Sequence, residues 1–237
     1  MANSYGPQST VSNGLVFSAD AANPISWASP SSTDVNDLIN PAVTGSTIND
    51  NSPGALDGGV GYWDFDGTDD YIKFPKADVI LPDSPYTYIT VECWANIEVM
   101  GNYVGVWSLG HPSGGATGIA LYCRSVNWIQ FALYIGGADQ RTSVTAYSST
   151  YPGWRLITCT YNGSSGGGKV FIDGIQRANN TATGTFSTND TYDMKIASES
   201  AHGLEMNGQV GFVKIYNRVL TDSEIMQNYE ATKNRYQ

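Results

Sequence analysis

Four aspartates crowd one short stretch of the chain, Trp63-Asp-Phe-Asp-Gly-Thr-Asp-Asp-Tyr-Ile72. Calcium binds several oxygen ligands at once, and clustered carboxylates on a turn supply them with little rearrangement. The stretch therefore predicts a calcium site at Asp66, Asp69 and Asp70. The alternative is that Asp66 and Asp69 only shape the turn, because aspartate accepts hydrogen bonds from nearby backbone N–H groups. Weaker acidic candidates lie in two other loops: Asp34 with Asp37, and Asp190 with Asp193.

Sugar binding is a second candidate chemistry. It needs an exposed aromatic ring against the apolar sugar face and fixed polar groups for the hydroxyls. Side chains of suitable type fall at predicted strand ends or in the adjoining loops: Trp107, His111, Trp128 and Tyr147. His202 is placed similarly. The competing interpretation is that these rings pack in the core or at a contact between subunits.

Glycoside hydrolysis is a third candidate, and it needs two carboxylates close enough to act on one bond. Glu92 and Glu98 lie on one predicted strand, without an aspartate between them. Their even separation places them on the same face, but too far apart for a joint attack. We therefore expect no enzymatic activity.

Strand-like segments follow one another at short spacing, which is typical of an all-β fold. Along Tyr88–Ile97, one face carries Ile, Val, Cys and Ala, while the other carries Thr, Glu, Trp and Asn. We expect the first face to be the inner side of a sheet. The predicted strands are Gly14–Asp20, Gly61–Phe65, Tyr71–Phe74, Tyr88–Ile97, Tyr103–Leu109, Gly118–Arg124, Trp128–Ile135, Gln140–Tyr147, Trp154–Tyr161, Lys169–Ile172, Met194–Ala197 and Gly208–Tyr216.

The two ends of the chain and one long polar stretch lie outside this strand pattern. Residues 1–13 predict an extended N-terminal arm, and residues 14–237 a single domain. Residues 21–60 are rich in Asn, Asp, Ser, Pro and Gly, which predicts a long loop with one short strand at most.

A helix is predicted over residues 221–234. Thr221 and Glu224 have the spacing of a capping box, in which each side chain bonds the other residue's backbone N–H. Leu220, Ile225 and Tyr229 form an apolar stripe suited to packing on a sheet.

Charge and cysteine content narrow the range of partners. The chain has 237 residues, a net charge of −10 and a pI of about 4.4. Nucleic acids and anionic membranes attract clustered Lys and Arg, so neither is an expected partner. Cys93, Cys123 and Cys159 fall within strand-like segments and predict reduced core thiols, with one disulfide and a spare thiol as the alternative. No signal peptide or membrane span is predicted.

Four segments, in order, resemble the laminin-G-like branch of the concanavalin A-like lectin/glucanase superfamily. They are Gly14–Asn23, Phe65–Ile72, Trp154–Gly174 and Gly208–Ile225. The resemblance implies an all-β, two-sheet antiparallel β-sandwich of the jelly-roll type with a short C-terminal helix. The family commonly has an Asp-Glu pair in the closing strand, where this chain has Gly211-Phe212, so support of a nearby cation by that pair is not expected here.

The ending Gln227–Tyr236 resembles a subset encoded among virion proteins of tailed bacteriophages. This resemblance implies a non-enzymatic virion surface protein, either a capsid decoration or a tail or fibre component, made in the host cytoplasm. The implied partners are other virion proteins and surface glycans, bound weakly by many copies, and self-association is a further expectation. The alternatives are a stand-alone calcium-dependent lectin and a glycoside hydrolase.

Overall fold

Strands dominate the computed structural model, which describes residues 9–28, 32–48, 53–56, 60–76, 81, 85–101, 103–110, 118–188, 192–199 and 204–237. The strands are β1 (Leu15–Asp20), β2 (Asp34–Asn36), β3 (Thr44–Ile48), β4 (Pro53–Leu56), β5 (Val60–Asp66), β6 (Tyr71–Lys76), β7 (Tyr88–Val99), β8 (Val104–Gly110), β9 (Gly118–Arg124), β10 (Trp128–Ile135), β11 (Ala138–Val144), β12 (Arg155–Asn162), β13 (Gly167–Ile172), β14 (Ile175–Asn179), β15 (Asp193–Ile196) and β16 (Asn207–Tyr216). The helices are Tyr147–Thr150 and Asp222–Thr232, with 3-10 turns at Ser125–Asn127 and Lys233–Arg235.

These strands form two sheets of eight strands each. Sheet A has the order β14-β13-β12-β7-β16-β5-β4, with β1 also paired to β16. Sheet B has the order β11-β10-β9-β8-β15-β6-β3-β2. The pairs are antiparallel in both sheets. The predicted antiparallel β-sandwich is confirmed.

The core lies between the two sheets, where alternate residues of each strand point inward. Phe17 of sheet A meets Phe74 of sheet B edge to face, with ring centres 4.9 Å apart. The three cysteines are buried and carry free thiols, so the prediction of reduced core cysteines is confirmed.

The C-terminal helix packs on the outer face of sheet A. Its predicted capping box at Thr221 and Glu224 is confirmed. The Trp94 indole donates to Thr232 Oγ1 (2.8 Å), and Asn228 Nδ2 donates to Glu92 Oε2 (2.7 Å). Glu92 and Trp94 are therefore buried, although the alternation along β7 predicts a polar outer side. The reason is that the helix covers this face.

The described part of the N-terminal arm, residues 9–13, contacts the same helix. Val11 N donates to Asn228 Oδ1 (2.7 Å), and Gln227 Nε2 donates to the Ser9 carbonyl (2.8 Å). Residues 1–8 lie outside the described ranges. The two ends of the chain therefore bind each other on sheet A.

Two stretches differ from the sequence-based expectation. Residues 21–60 contain β2, β3 and β4 rather than one short strand. β3 is poor in apolar residues, but its Gly45 lies against the Phe74 ring and lets the strand pair with β6. The strand predicted to reach Tyr147 ends at Val144, because Ala146 adopts a left-handed φ of 56° and a short helix follows. Among the described helices, none is long and apolar enough to cross a membrane.

Candidate functional site

The four predicted sugar-binding side chains occupy different environments. Trp107 on β8 is 0% exposed and packs near Phe131 in the core, and Tyr147 is 2% exposed. Neither ring can meet a ligand at the surface, so these two assignments are corrected by the burial of both side chains. His111 lies outside the described residues. Trp128, in contrast, is 42% exposed.

Trp128 stands at the start of β10, directly opposite Arg124 at the end of β9. The 3-10 turn Ser125–Asn127 joins the two strands, and Ser125 adopts a left-handed φ of 62° within it. Residues directly opposite in an antiparallel pair have Cβ atoms about 5 Å apart on one face. The indole and the guanidinium are therefore neighbours on the outer face of sheet B.

The same face carries further aromatic and polar side chains. Tyr122 lies two residues before Arg124 on β9, and Gln130 lies two residues after Trp128 on β10, so all four side chains are on one face. Arg141 on β11 also lies on this face. We call this set, together with Tyr103 at the entrance to β8, the outer-face cluster: Tyr103, Tyr122, Arg124, Trp128, Gln130 and Arg141. Side chains alternate between the two faces of a strand. The members of this set on β9 and β10 therefore lie on the face of the sheet that points away from the core residues Cys123 and Ile129.

Tyr103 organises one side of the outer-face cluster. The Arg124 guanidinium carbon lies 4.0 Å from the centre of the Tyr103 ring, a cation–π contact. The Tyr122 ring meets Tyr103 edge on, with ring centres 6.1 Å apart. Tyr103 has a left-handed φ of 64°, which costs a bulky residue free energy and is a known mark of functional sites.

Arg141 organises the other side. Its guanidinium donates to Asp139 Oδ2 (2.7 Å) and Gln130 Oε1 (3.3 Å), and it bonds the Tyr103 hydroxyl. Gln130 Nε2 donates to Ser143 Oγ (2.7 Å). These bonds fix the amide and the guanidinium before any ligand arrives, so little side-chain entropy is lost when a ligand binds.

Small buried side chains lie beside these groups. Ala120 and Ala132 pair across β9 and β10, both are 0% exposed, and Arg141 pairs with Ala132 from the next strand. Burial raises the pKa of the Tyr122 hydroxyl, which stays protonated at neutral pH and can donate a hydrogen bond. An exposed indole and fixed polar groups are suited to non-covalent recognition of a sugar.

The acidic turn between β5 and β6 brings its three predicted residues together. Carboxylate oxygens of Asp66, Asp69 and Asp70 lie within 4.8 Å of one another, with Asp70 buried and the other two exposed. Thr68 N donates to Asp66 Oδ1 (2.7 Å), and Asp66 N donates to Asp70 Oδ2 (3.3 Å). The geometry suits a calcium ion, and the same carboxylates also shape the turn.

The other acidic loops look less like metal sites. The Asp37 carboxylate accepts backbone N–H groups of Ser18 (2.9 Å), Ile39 (3.0 Å) and Asn40 (3.1 Å). Burial nevertheless raises the pKa of Asp37, and those hydrogen bonds oppose the rise. Asp37 is therefore a structural residue that ties β1 to the following loop. Asp190 lies outside the described residues.

Gly211, at the position of the expected Asp-Glu pair, has a packing role. A Cβ atom on Gly211 would overlap the Tyr236 ring near the C-terminus. Tyr236 also stacks on Trp94, with ring centres 4.9 Å apart. The departure at Gly211 therefore makes room for the C-terminal tyrosine.

Five members of the outer-face cluster are not predicted from the sequence: Tyr103, Tyr122, Arg124, Gln130 and Arg141. The sequence pattern on β9 and β10 could have identified the members that lie on those two strands. Tyr122 and Arg124 alternate on one strand, Trp128 and Gln130 on the next, and only a short turn separates the strands. That spacing places all four side chains on one face. The position of the Tyr103 ring against Arg124 depends on the left-handed backbone conformation of Tyr103, which strand alternation does not predict.

A family model described as the concanavalin A-like lectin/glucanases superfamily matches residues 66–226. No curated protein matches the chain. Among solved structures, the binding domain of Paraclostridial mosquitocidal protein 1 has 14% identity and a TM-score of 0.69, over 91% of this chain and 52% of that one. A botulinum neurotoxin type C structure, described in terms of interaction with two ganglioside molecules, has 13% identity and a TM-score of 0.67, over 92% and 51%.

The chain thus spans about half the length of these two toxin chains. A third structure is matched along almost its whole length. It is domain 4 of AbnA, a GH43 extracellular arabinanase from Geobacillus stearothermophilus, in complex with arabinotriose, with 15% identity and a TM-score of 0.62 over 91% of this chain and 98% of that one. At such identities these structures show a shared fold. The family match covers most of the sandwich, and the chain belongs to the concanavalin A-like lectin/glucanase superfamily.

Proposed function

We propose that this protein is a non-enzymatic, lectin-like domain that binds carbohydrate through the outer-face cluster. The observation that carries the proposal is the exposed Trp128 ring beside Arg124 on a face whose polar groups are held in place. An aromatic face stacks on the apolar side of a sugar ring, and fixed polar groups bond its hydroxyls. The cluster offers both within one patch.

The arabinanase domain supports this proposal more than the toxins do. It is matched over 98% of its length and holds arabinotriose. The neurotoxin is matched over 51% of its length, so its gangliosides give weaker support. A domain of this fold and size is therefore compatible with oligosaccharide binding.

The proposal of a non-enzymatic role has its own support. Glu92, one of the two strand carboxylates considered for hydrolysis, is buried beneath the C-terminal helix and bonded to Asn228. A sugar at the surface cannot reach it. Release of reducing sugar from a panel of polysaccharides would contradict this part of the proposal.

The proposed function is tested on a glycan array and then by calorimetric titration of the best binders. Trp128→Ala should weaken binding roughly fivefold to thirtyfold, because stacking on an aromatic ring contributes on the order of 1–2 kcal/mol. Trp154→Ala removes another partly exposed tryptophan, on sheet A, and should leave sugar affinity unchanged. Equal binding by wild type and Trp128→Ala would contradict the proposed site, and an array without any bound glycan would contradict the function.

A second candidate function is calcium-dependent recognition, favoured by the convergence of Asp66, Asp69 and Asp70. Calcium should then raise the melting temperature, and EDTA should reverse the rise. Asp66→Asn with Asp69→Asn preserves the size and the turn-forming side-chain oxygens but removes two charges, and it should abolish the calcium effect. If EDTA leaves the melting temperature of the wild type unchanged, the three aspartates only shape the turn.

We further propose that the domain acts on the surface of a tailed-phage virion, with other virion proteins as partners. The support is the resemblance of Gln227–Tyr236 to the ending of such proteins. This ending packs on its own sheet through Tyr236 and Trp94, so we assign contacts with neighbouring proteins to other surfaces. Mass spectrometry of purified particles tests the proposal, and particles without this chain would contradict it.

A further inference from the structure

The outer-face cluster contains groups that a neutral sugar would not require. We propose that its ligands are acidic carbohydrates, and that Arg124 pairs with the ligand's carboxylate. This inference rests on the proposed carbohydrate-binding function and specifies the class of sugar.

The Arg124 guanidinium is held in place, but its N–H groups make no hydrogen bond to any described residue. The Tyr103 ring supports the guanidinium from one face at 4.0 Å. Within the described part of the chain, no carboxylate forms an ion pair with Arg124 and no acceptor takes its N–H groups. A guanidinium presents a planar fork of donors that matches a carboxylate in two parallel hydrogen bonds. Arg124 is therefore oriented for an anionic group from outside the chain.

Arg141 provides the contrast. It bonds Asp139 and Gln130, so its charge is already compensated inside the protein. Other arginines are also compensated: Arg155 pairs with Asp173 (2.9 Å), Arg218 with Glu224 (2.6 Å) and Arg235 with Asp20 (2.8 Å). The chain has a net charge of −10, so carboxylates are plentiful. The outer-face cluster is nevertheless distinguished by an arginine that has no carboxylate partner among the described residues and lies next to an exposed tryptophan.

Tyr122 supplies a second group for the ligand. Its side chain is 3% exposed, and within the described ranges no residue forms a hydrogen bond with its hydroxyl. The hydroxyl is not one of the fully buried polar atoms without a partner, so it can bond a ligand oxygen at the surface. Tyr122 lies on the same face of β9 as Arg124, and its ring packs against Tyr103. We assign this hydroxyl to a ligand oxygen beside the carboxylate.

The negative charge of the protein does not exclude an acidic ligand. Salt screens charges separated by more than about 8 Å at physiological ionic strength, so groups in contact with the ligand dominate. In the bound state, Trp128 stacks on the sugar ring, Arg124 takes the carboxylate, and Tyr122 donates to a neighbouring oxygen. Binding of the acidic sugar should weaken as salt rises, whereas stacking of a neutral sugar should not.

The test uses the full chain and matched pairs of probes: trigalacturonate with its carboxyl-reduced form, and 3′-sialyllactose with lactose. We expect an acidic member to bind at least tenfold more tightly than its neutral counterpart, since hydrogen bonds to charged groups are the stronger kind. Arg124→Gln should remove this preference by weakening binding of the acidic probes far more than that of the neutral ones, and Arg124→Lys should retain only part of the preference.

Arg177→Gln is the matched control, because Arg177 is exposed on β14 and also lies over a tyrosine ring, that of Tyr151 at 5.4 Å. It makes the same change in net charge on the other sheet and should preserve the preference. Equal affinity for acidic and neutral probes would overturn the inference and leave the lectin function standing. A preference that survives Arg124→Gln would overturn the assignment of Arg124, and failure of all four probes together with an empty glycan array would overturn both proposals.

Discussion

Glu92 shows how a single residue on an outer sheet face can depend on the element that covers it. Its carboxylate accepts hydrogen bonds from Asn228 (2.7 Å), Thr158 (3.2 Å) and Tyr216 (3.5 Å). Burial raises the pKa of Glu92 from 4.5 to about 7, while Lys214 and these hydrogen bonds act in the opposite direction. Glu92 therefore keeps its proton to a higher pH in the folded protein than in the unfolded chain.

The stability of the protein should consequently depend on pH. Below pH 4.5, Glu92 is protonated in both the folded and unfolded states and makes no pH-dependent contribution. As the pH rises toward 7, the unfolded chain releases this proton first, so the free energy of unfolding falls, by roughly 3 kcal/mol in all. Urea denaturation between pH 4.5 and 8 measures this decline.

Glu92→Gln keeps the shape of the side chain but removes its titration, so the decline should largely disappear. Glu98→Gln is the control, because Glu98 lies exposed near the end of the same strand and its substitution should leave the decline intact. A Glu92→Gln protein with the wild-type pH profile would show that other groups cause the dependence.

The C-terminal segment is the element that most shapes sheet A. Tyr229 and Tyr236 both stack on Trp94 on the outer face of that sheet, with ring centres 6.1 Å apart for Trp94 and Tyr229. The helix, the 3-10 turn and Tyr236 thus form a cover over β7 and β16. This cover explains why Trp94 has no exposed surface.

Packing of this cover should be sensitive to Gly211. Gly211→Ala places a methyl group where the Tyr236 ring lies, and overpacking of this kind costs about 1–3 kcal/mol. Thermal or urea unfolding measures the loss. In the Tyr236→Ala background the same substitution should cost much less, because the ring is gone. Equal costs in both backgrounds would show that the two residues do not compete for space.

Sequence patterns predict the strands and their inner faces better than they predict which other elements cover those strands. Alternation along β7 identifies its inner face correctly, since that property belongs to one strand. It cannot reveal that a helix far away in the chain covers Glu92 and Trp94. Similarly, Trp107 and Tyr147 stand near strand ends, but the opposing sheet decides that they are buried. The short strand β3 is missed because pairing with β6 stabilises it more than its own composition does.

At the scale of the whole molecule, the two sheets have different roles. The outer face of sheet A carries the C-terminal helix, residues 9–13 and Tyr236, which join the two ends of the chain. The outer face of sheet B carries the outer-face cluster, with Trp128 exposed. We infer that sheet A stabilises the fold and that sheet B presents the binding surface.

Mapping the bound sugar by nuclear magnetic resonance tests whether the outer face of sheet B is the binding surface. The two-dimensional spectrum of ¹⁵N-labelled protein is recorded during titration with the best array ligand. Sugar binding at the outer-face cluster should give the largest shifts at the Trp128 indole N–H, the Arg124 side chain and the backbone of β9 and β10. Shifts confined to sheet A, around Trp154 and the C-terminal helix, would contradict it.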